Sequence, residues 1–235
     1  MLRVYCPIGL LLSALALGHM GGRSQVNVLR WAEGRSGCTF SADDDGKYRY
    51  GLWTDDFGIV IAVDADEVRK ASLRTAPLFA VFVTVRYRGQ DSLAVDPAQI
   101  SLDFVKHYHA VQNAIDADDL ARKLQSQADA FAEQIQREIT KHPEKRTEEE
   151  SILHDHETDV KQTEEFVRTR SLRPMQLDSA NPEAAGWIFF DARSKWIGDW
   201  KKQEQFVLRV PVGDQTIEFP FALPPSQGDL LLRRR

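Results

Sequence analysis

Two histidine pairs are the best candidates in this sequence for a metal-binding or catalytic site. His107 and His109 follow a predicted strand, and His154 and His156 lie in a predicted helix. Alternate residues of a strand share a face, so His107 and His109 could hold one metal ion. Residues two apart in a helix do not share a face, so His154 and His156 could not. The competing interpretation of His107 and His109 is a polar, solvated strand end.

Motifs for other chemistry are missing from the sequence. It contains no Gly-x-Ser-x-Gly, no His-Glu-x-x-His and no Gly-x-x-x-x-Gly-Lys. Asp43, Asp44 and Asp45 could bind calcium, but no Glu completes an EF-hand loop, which favours a turn. We therefore predict a non-catalytic protein without a cofactor. The alternative is a metal-binding protein or envelope enzyme that uses His107 and His109.

Composition excludes several classes of protein. The chain has 235 residues, 43% of them hydrophobic, with 30 Lys+Arg against 35 Asp+Glu and a net charge of -5. This apolar fraction is too high for a disordered chain. A general nucleic-acid binder needs a concentrated basic face, so we predict no nucleic-acid partner.

The N-terminus has the pattern of a secretory signal. Arg3 precedes the apolar run Ile8–Leu17, and Ala16 and Gly18 are the small residues that a signal peptidase reads. Residues 1–18 are thus predicted to be a signal peptide, which makes the protein secreted or periplasmic. The run is too short to span a bilayer, so no permanent membrane span is predicted. A buried terminal strand or helix is the alternative.

The next segment, 19–46, lacks periodicity and is predicted to be loosely ordered. It contains Cys38, the one thiol that remains if Cys6 leaves with the signal. An internal disulfide would then be impossible. Burial is the default for a free cysteine, while the glycines around Cys38 favour exposure.

Two β regions flank a helical one. Apolar residues alternate from Lys47 to Phe104 and again after Pro182, which predicts strands. Pro211 and Pro220 belong at a sheet edge or a strand end, because proline cannot donate a ladder hydrogen bond. From Ala114 the apolar spacing becomes three or four, which predicts two long helices within 113–170. The polar segment Pro143–Glu150 would join them as an antiparallel hairpin.

Three strands carry a family resemblance. Gly186–Asp191, Phe206–Val212 and Ile217–Phe219 resemble the closing strands of secreted bacterial immunoglobulin-like proteins. The resemblance covers 47–104 and 183–223 and rests on strand pattern, so it implies a fold but no reaction.

We predict an α+β protein: an antiparallel immunoglobulin-like β-sandwich over 47–226, with a long antiparallel helical hairpin inserted at 113–170. A frayed tail at 227–235 would follow. Two separate domains are the alternative.

Two surfaces are predicted to bind a partner. The hairpin region 113–170 has 15 acidic and nine basic residues, a net charge of -6. The predicted partner-binding residues are Glu148, Glu149 and Glu150 at its tip, and Lys195, Trp196, Trp200 and Lys201 in a later loop.

The predicted function is a protein–protein interaction or an envelope structure mediated by the hairpin, with self-association or contact with the envelope surface included. The alternatives are a solvated helix pair packed on the sandwich, and tryptophans that plug its core.

Overall fold

The computed structural model describes residues 27–73, 77–192 and 203–223. Three predictions lie outside these residues: the signal peptide at 1–18, the tail at 227–235, and the loop surface with Lys195, Trp196, Trp200 and Lys201.

The described residues form a mixed α+β structure with two long helices. In chain order the strands are β1 (Asn27–Arg30), β2 (Cys38–Ala42), β3 (Lys47–Trp53), β4 (Phe57–Asp64), β5 (Leu78–Tyr87), β6 (Leu93–Val95), β7 (Ser101–Phe104), β8 (Ala110–Asn113), β9 (Met175–Leu177), β10 (Glu183–Asp191), β11 (Glu204–Val212) and β12 (Gln215–Leu223). The helices are α1 (Glu67–Leu73), α2 (Ala117–Lys141) and α3 (Arg146–Arg170).

The strands make two five-stranded sheets and one small pair. Sheet 1 has the order β1-β12-β11-β7-β8, and sheet 2 has the order β10-β5-β4-β3-β2. The small pair is β6 with β9. All neighbours are antiparallel except β1 and β12, which are parallel.

The alternating residues of both sheets share one hydrophobic core. Rings meet across the sheets: the centroid of Phe79 in β5 lies 4.8 Å from that of Phe206 in β11, and Tyr50 in β3 lies 5.9 Å from Phe221 in β12. The side chains predicted to share one face of β4 and of β5 are at most 6% exposed, except that Tyr87 at the end of β5 is half-buried. The others are Phe57, Ile59, Ile61, Val63, Phe79, Val81, Val83 and Val85. The period-2 prediction is confirmed there.

Pro211 and Pro220 occupy local edges, as their missing N–H groups require. β7 pairs with β11 only as far as Arg209, and β1 pairs with β12 only as far as Glu218. Each proline therefore lies beyond the end of one neighbouring strand.

The segment 19–46 was predicted to be loosely ordered, but its residues 27–42 contain two strands. β1 is an edge strand of sheet 1, and β2 is an edge strand of sheet 2. Both are short edge strands with mostly exposed side chains, so they show little alternation. Trp31 follows β1 and is buried, and its Nε1 donates to the carbonyl of Thr39 at 3.0 Å.

The helices begin and end close to the predicted points. The Asp116 side chain accepts hydrogen bonds from the backbone of Asp118 and Asp119, which caps α2. α2 ends before Pro143, and a single 3₁₀ turn leads into α3. The connection is thus shorter than the predicted segment Pro143–Glu150. No helix within the described ranges is long and apolar enough to cross a lipid bilayer.

Candidate functional site: the arm and the strand-end cluster

The arm, defined as residues 117–170 (α2, the turn and α3), is attached to sheet 2 at both of its ends. The backbone N–H of Ile115, before α2, donates to the carbonyl of Phe189 in β10 at 2.8 Å. The N–H of Leu172, after α3, donates to the carbonyl of Trp187 at 2.9 Å. These two bonds occupy part of the free edge of β10, which would otherwise be open to pairing with another strand.

An apolar cluster holds the base of the arm against sheet 2. It joins the start of α2 and the end of α3 to residues of β5 and β10. From α2 it contains nothing beyond Leu124, and from α3 it begins at Val160. The buried members are Leu78, Ala80, Ala117, Leu120, Leu124, Val167 and Phe189.

An ion pair closes the base from the outside. The Arg173 guanidinium donates Nη1 to Asp118 Oδ2 at 3.0 Å and Nη2 to Asp118 Oδ1 at 3.1 Å. These hydrogen bonds hold the pKa of the Asp118 carboxyl below its usual value and raise the pKa of Arg173. Arg168 in α3 lies 3.9 Å from the same carboxylate. Asp118 at the start of α2 thus faces two arginines at the base of the arm.

Beyond the base, the two helices cover each other. Ile135 and Ile139 of α2 are buried. The ring of Phe131 lies 4.3 Å from the ring of His156 in α3. His156 is therefore packed against the other helix, whereas His154 is exposed.

The predicted tip residues lie inside a helix and not in a loop. Glu148, Glu149 and Glu150 belong to the first turns of α3, where the helix dipole favours negative charge. Glu148 and Glu150 are exposed, and Glu149 is half-buried.

The net negative charge of the arm comes from one part of it. Residues 147–160 contain six acidic residues and neither Lys nor Arg. The rest of 113–170 has nine acidic and nine basic residues, so the whole excess lies in the first half of α3. Sequence reasoning summed the charge over both helices and missed this, although a count along the chain finds it.

The strand-end cluster, defined as Asp103, His107, His109, Glu204 and Arg209, lies where β7 and β11 meet. His107 Nε2 is 2.9 Å from Glu204 Oε2, and His109 Nδ1 is 3.2 Å from Asp103 Oδ2. Both carboxylates are almost fully buried, with Asp103 3% and Glu204 4% exposed.

His107 and His109, the predicted candidate ligands of one metal ion, have different partners in the structure. Asp103 is paired with Val207 in the sheet register, so it lies on the face opposite to Phe206 and to Glu204 two residues before it. The two histidines thus contact carboxylates on opposite faces of sheet 1. Among the residues described, no group of three or more His, Cys, Asp or Glu side chains could hold a metal ion.

A ladder of charges crosses the outer face of sheet 1. Arg209 Nη2 donates to Asp103 Oδ2 and its Nε donates to Glu218 Oε1, both at 3.1 Å, and Arg30 pairs with Glu218 at 3.3 Å. Burial by itself lowers the pKa of the Arg209 guanidinium, but its bonds to the two carboxylates raise it overall. The ladder joins the four strands β1, β7, β11 and β12, so its role is to hold sheet 1 together.

The turn between β7 and β8 is strained. Tyr108 and His109 both have positive φ, 57° and 55°, and the N–H of Ala110 donates to the carbonyl of His107 at 3.1 Å. This is a type I′ turn, which normally contains Asn and Gly.

Asp43 and Asp45 belong to a turn between β2 and β3, as predicted. Both carboxylates accept from Arg49, and Asp45 also accepts from the N–H of Lys47 at 3.1 Å. The bond from Arg49 lowers the pKa of Asp45 well below its usual range. Cys38, at the start of β2, is half-buried.

Comparisons with protein-family models, with curated proteins and with solved structures found no match to this chain.

Proposed function

We propose that this protein is a non-catalytic binding or structural protein, and that the arm carries its interaction with a protein partner. The observation behind this proposal is how the arm is attached. The cluster that joins it to sheet 2 uses only the start of α2 and the end of α3.

The length of the remaining helix supports the same idea. From Gln125 to Lys141, α2 continues for 17 residues beyond the last α2 member of that cluster. At 1.5 Å per residue this is about 25 Å of helix. α3 supplies a similar length on the other side of the turn. A helix pair of that size adds little to the sandwich core, whereas it offers a partner a long exposed surface.

The finer architecture is part of the proposal. We propose that the two five-stranded sheets form an immunoglobulin-like sandwich and that α2 and α3 form an antiparallel hairpin. The ring contact between Phe79 and Phe206 supports the first assignment. The second is supported by contacts at the base, between Asp118 and Arg173, and midway, between Phe131 and His156.

Export is proposed from the sequence alone. Residues 1–18 have the pattern of a signal peptide, so the mature chain would begin at His19 in a secreted or periplasmic protein. Mass measurement of the chain purified from the cell envelope tests this, because a retained Met1 would contradict it.

A shortened arm tests the function. We would delete 128–159 and join Gln127 to Val160 with a short Gly-Ser loop, which keeps the apolar cluster and the Asp118–Arg173 pair. The matched control replaces only the turn residues 142–145 with the same loop. Both variants and the natural chain would be cross-linked in the producing cells.

We expect the natural chain and the control to give the same cross-linked complex and the shortened chain to give none. Equal cooperative unfolding of the three chains would show that the body remains folded. A shortened chain that still forms the complex would contradict the proposal.

A further inference from the structure

One exposed stripe runs along α3. Six of its side chains fall within an arc of about 60° when each residue turns the helix by about 100°, and the sixth is Arg170, the last residue of α3. The five that precede Arg170 make up the stripe. They are Glu148, Ile152, Asp155, Asp159 and Phe166. We call this set the α3 stripe. It lies about 120° around the helix from the residues that face α2, such as Val160 and Val167.

The two apolar members of the α3 stripe are exposed, because they do not lie in the contact between α2 and α3. Ile152 is 44% and Phe166 41% exposed, and they are 14 residues apart on the same side of the helix. The Phe166 ring reaches Trp187 of β10 at 5.9 Å, so the stripe ends against sheet 2. Ile152 and Phe166 are two heptads apart, so they offer a partner helix two apolar contacts on the same side of α3.

The acidic members of the α3 stripe form no ion pair with a basic side chain of their own helix. In the described part of the chain, Glu148, Asp155 and Asp159 form no ion pair and no side-chain hydrogen bond. Some acids on other faces of the arm do, since Glu133 pairs with Arg137 and Glu164 with Arg168, whereas Glu150 and Glu157 form no such pair within the described residues. What distinguishes the α3 stripe is that its unpaired acids lie on the same side of the helix as exposed apolar residues. The helix dipole explains an acid in the first turn such as Glu148, but it has no effect as far along as Asp155 and Asp159.

We propose that the α3 stripe is the docking surface for a basic amphipathic helix of a protein partner. This rests on the proposed role of the arm and names the chemistry of its partner. Lysines or arginines of the partner would lie against Asp155 and Asp159, and its apolar residues would cover Ile152 and Phe166.

Charge decides among the candidate occupants. A second copy docked on the stripe would bring its three acidic residues face to face with the same three, and like charges oppose that contact. Nucleic acid and anionic membranes carry the same sign as the stripe and are repelled in the same way. A basic helix is the occupant that satisfies both the acidic and the apolar members.

A peptide probe tests the docking surface. The probe is a fluorescent alanine-based helical peptide with leucines on one face and lysines beside them. Its control is a scrambled peptide of the same composition. Fluorescence anisotropy with the full chain would give the Kd at low and at physiological salt.

Two double variants of the chain separate the stripe from general acidity. D155K/D159K changes the α3 stripe. E150K/E157K makes the same charge change on the opposite, exposed side of α3. A helix is about 10 Å across, which exceeds the Debye length of about 8 Å at physiological salt.

We expect D155K/D159K to weaken binding of the helical peptide about tenfold or more at physiological salt, and E150K/E157K about twofold or less. Ile152→Ser should weaken it several-fold without changing the salt dependence, because it removes an apolar contact only.

Three results would overturn the inference: no binding of the helical peptide, equal binding of the scrambled peptide, or equal effects of the two double variants. The proposed function fails separately, when the chain with the shortened arm keeps its partner. A complex that is lost with the shortened arm and kept with D155K/D159K would leave the proposed function intact and reject the α3 stripe.

Discussion

The carboxylate of Asp118 and the guanidinium of Arg173 form a bidentate pair, with bonds of 3.0 and 3.1 Å, that joins the start of α2 to the segment after α3. The two residues are 55 positions apart. Their contact means that the chain enters and leaves the arm at one place, beside β10 of sheet 2. The base of the arm is consequently held by backbone, apolar and charged contacts together.

Asp118→Asn is expected to loosen the base of the arm. The Arg173 guanidinium lowers the pKa of the Asp118 carboxyl, so this pair stabilises the folded chain above the unfolded aspartate pKa of about 3.9. The stabilisation is lost as the pH falls through the lowered folded value. Hydrogen exchange at Leu120 and Leu172 should be several-fold faster in the variant at neutral pH.

Asp119→Asn is the matched control, since Asp119 is also in the first turn of α2 but pairs with Arg122 in its own helix. Equal exchange in the two variants would show that the pair does not hold the base.

Gly186→Ala is expected to destabilise the attachment of the arm to β10. A Cβ at Gly186 would lie 2.3 Å from the nitrogen and 2.6 Å from the Cα of Leu172. Backbone atoms cannot move aside as a flexible side chain can, so we expect a loss of about 1–3 kcal/mol in the free energy of unfolding. Urea denaturation measures it. Ala185→Ser, at an exposed position in the same strand, should change little.

His107→Ala is expected to affect stability and not metal content. It removes a hydrogen-bond partner of the buried Glu204, and leaving a buried polar group without its partner costs about 1–3 kcal/mol. His109→Asn should change the free energy of unfolding by about 1 kcal/mol or less, because His109 is largely exposed, Asp103 keeps its bond to Arg209, and Asn tolerates the positive φ of this position. A stoichiometric metal ion in the natural chain that disappears with His107→Ala would instead revive the metal-site hypothesis.

Tyr108→Asn is expected to stabilise the protein. Tyr108 has φ of 57° and is 90% exposed, so its ring contributes little packing while its backbone is strained. Asn tolerates this conformation, and the gain should be about 0.5–1 kcal/mol in the free energy of unfolding. Tyr108→Val should have the opposite effect, because a β-branched side chain fits positive φ poorly. A loss of stability on Tyr108→Asn would indicate that the ring makes a contact that matters.

Strands and helices could be predicted from the sequence where one face is buried and the other is exposed to solvent. Ile59 and Ile61 of β4 are fully buried, as their alternation indicated. β1 could not be predicted, because its partner β12 lies almost 190 residues further along and its side chains are mostly exposed. α1 is too short to show a clear helical period.

The site was predicted only in part. That acids lie near the far end of the arm follows from sequence, and so does the placement of His107 at a strand end. The partner of His107 does not, because Glu204 is 97 residues away and reaches it only through the pairing of β7 with β11. Which side of α3 stays exposed also depends on packing, since Val167 is buried while its neighbour Phe166 is not.

A photo-cross-linking amino acid placed in the arm tests the role of the arm most directly. It would replace Ser151, exposed in α3, or Gln90, exposed on a loop of the body, in separate full-length chains. Irradiation of the producing cells should give one discrete covalent adduct from position 151 and none from position 90. An adduct from position 90 with none from position 151 would contradict the account.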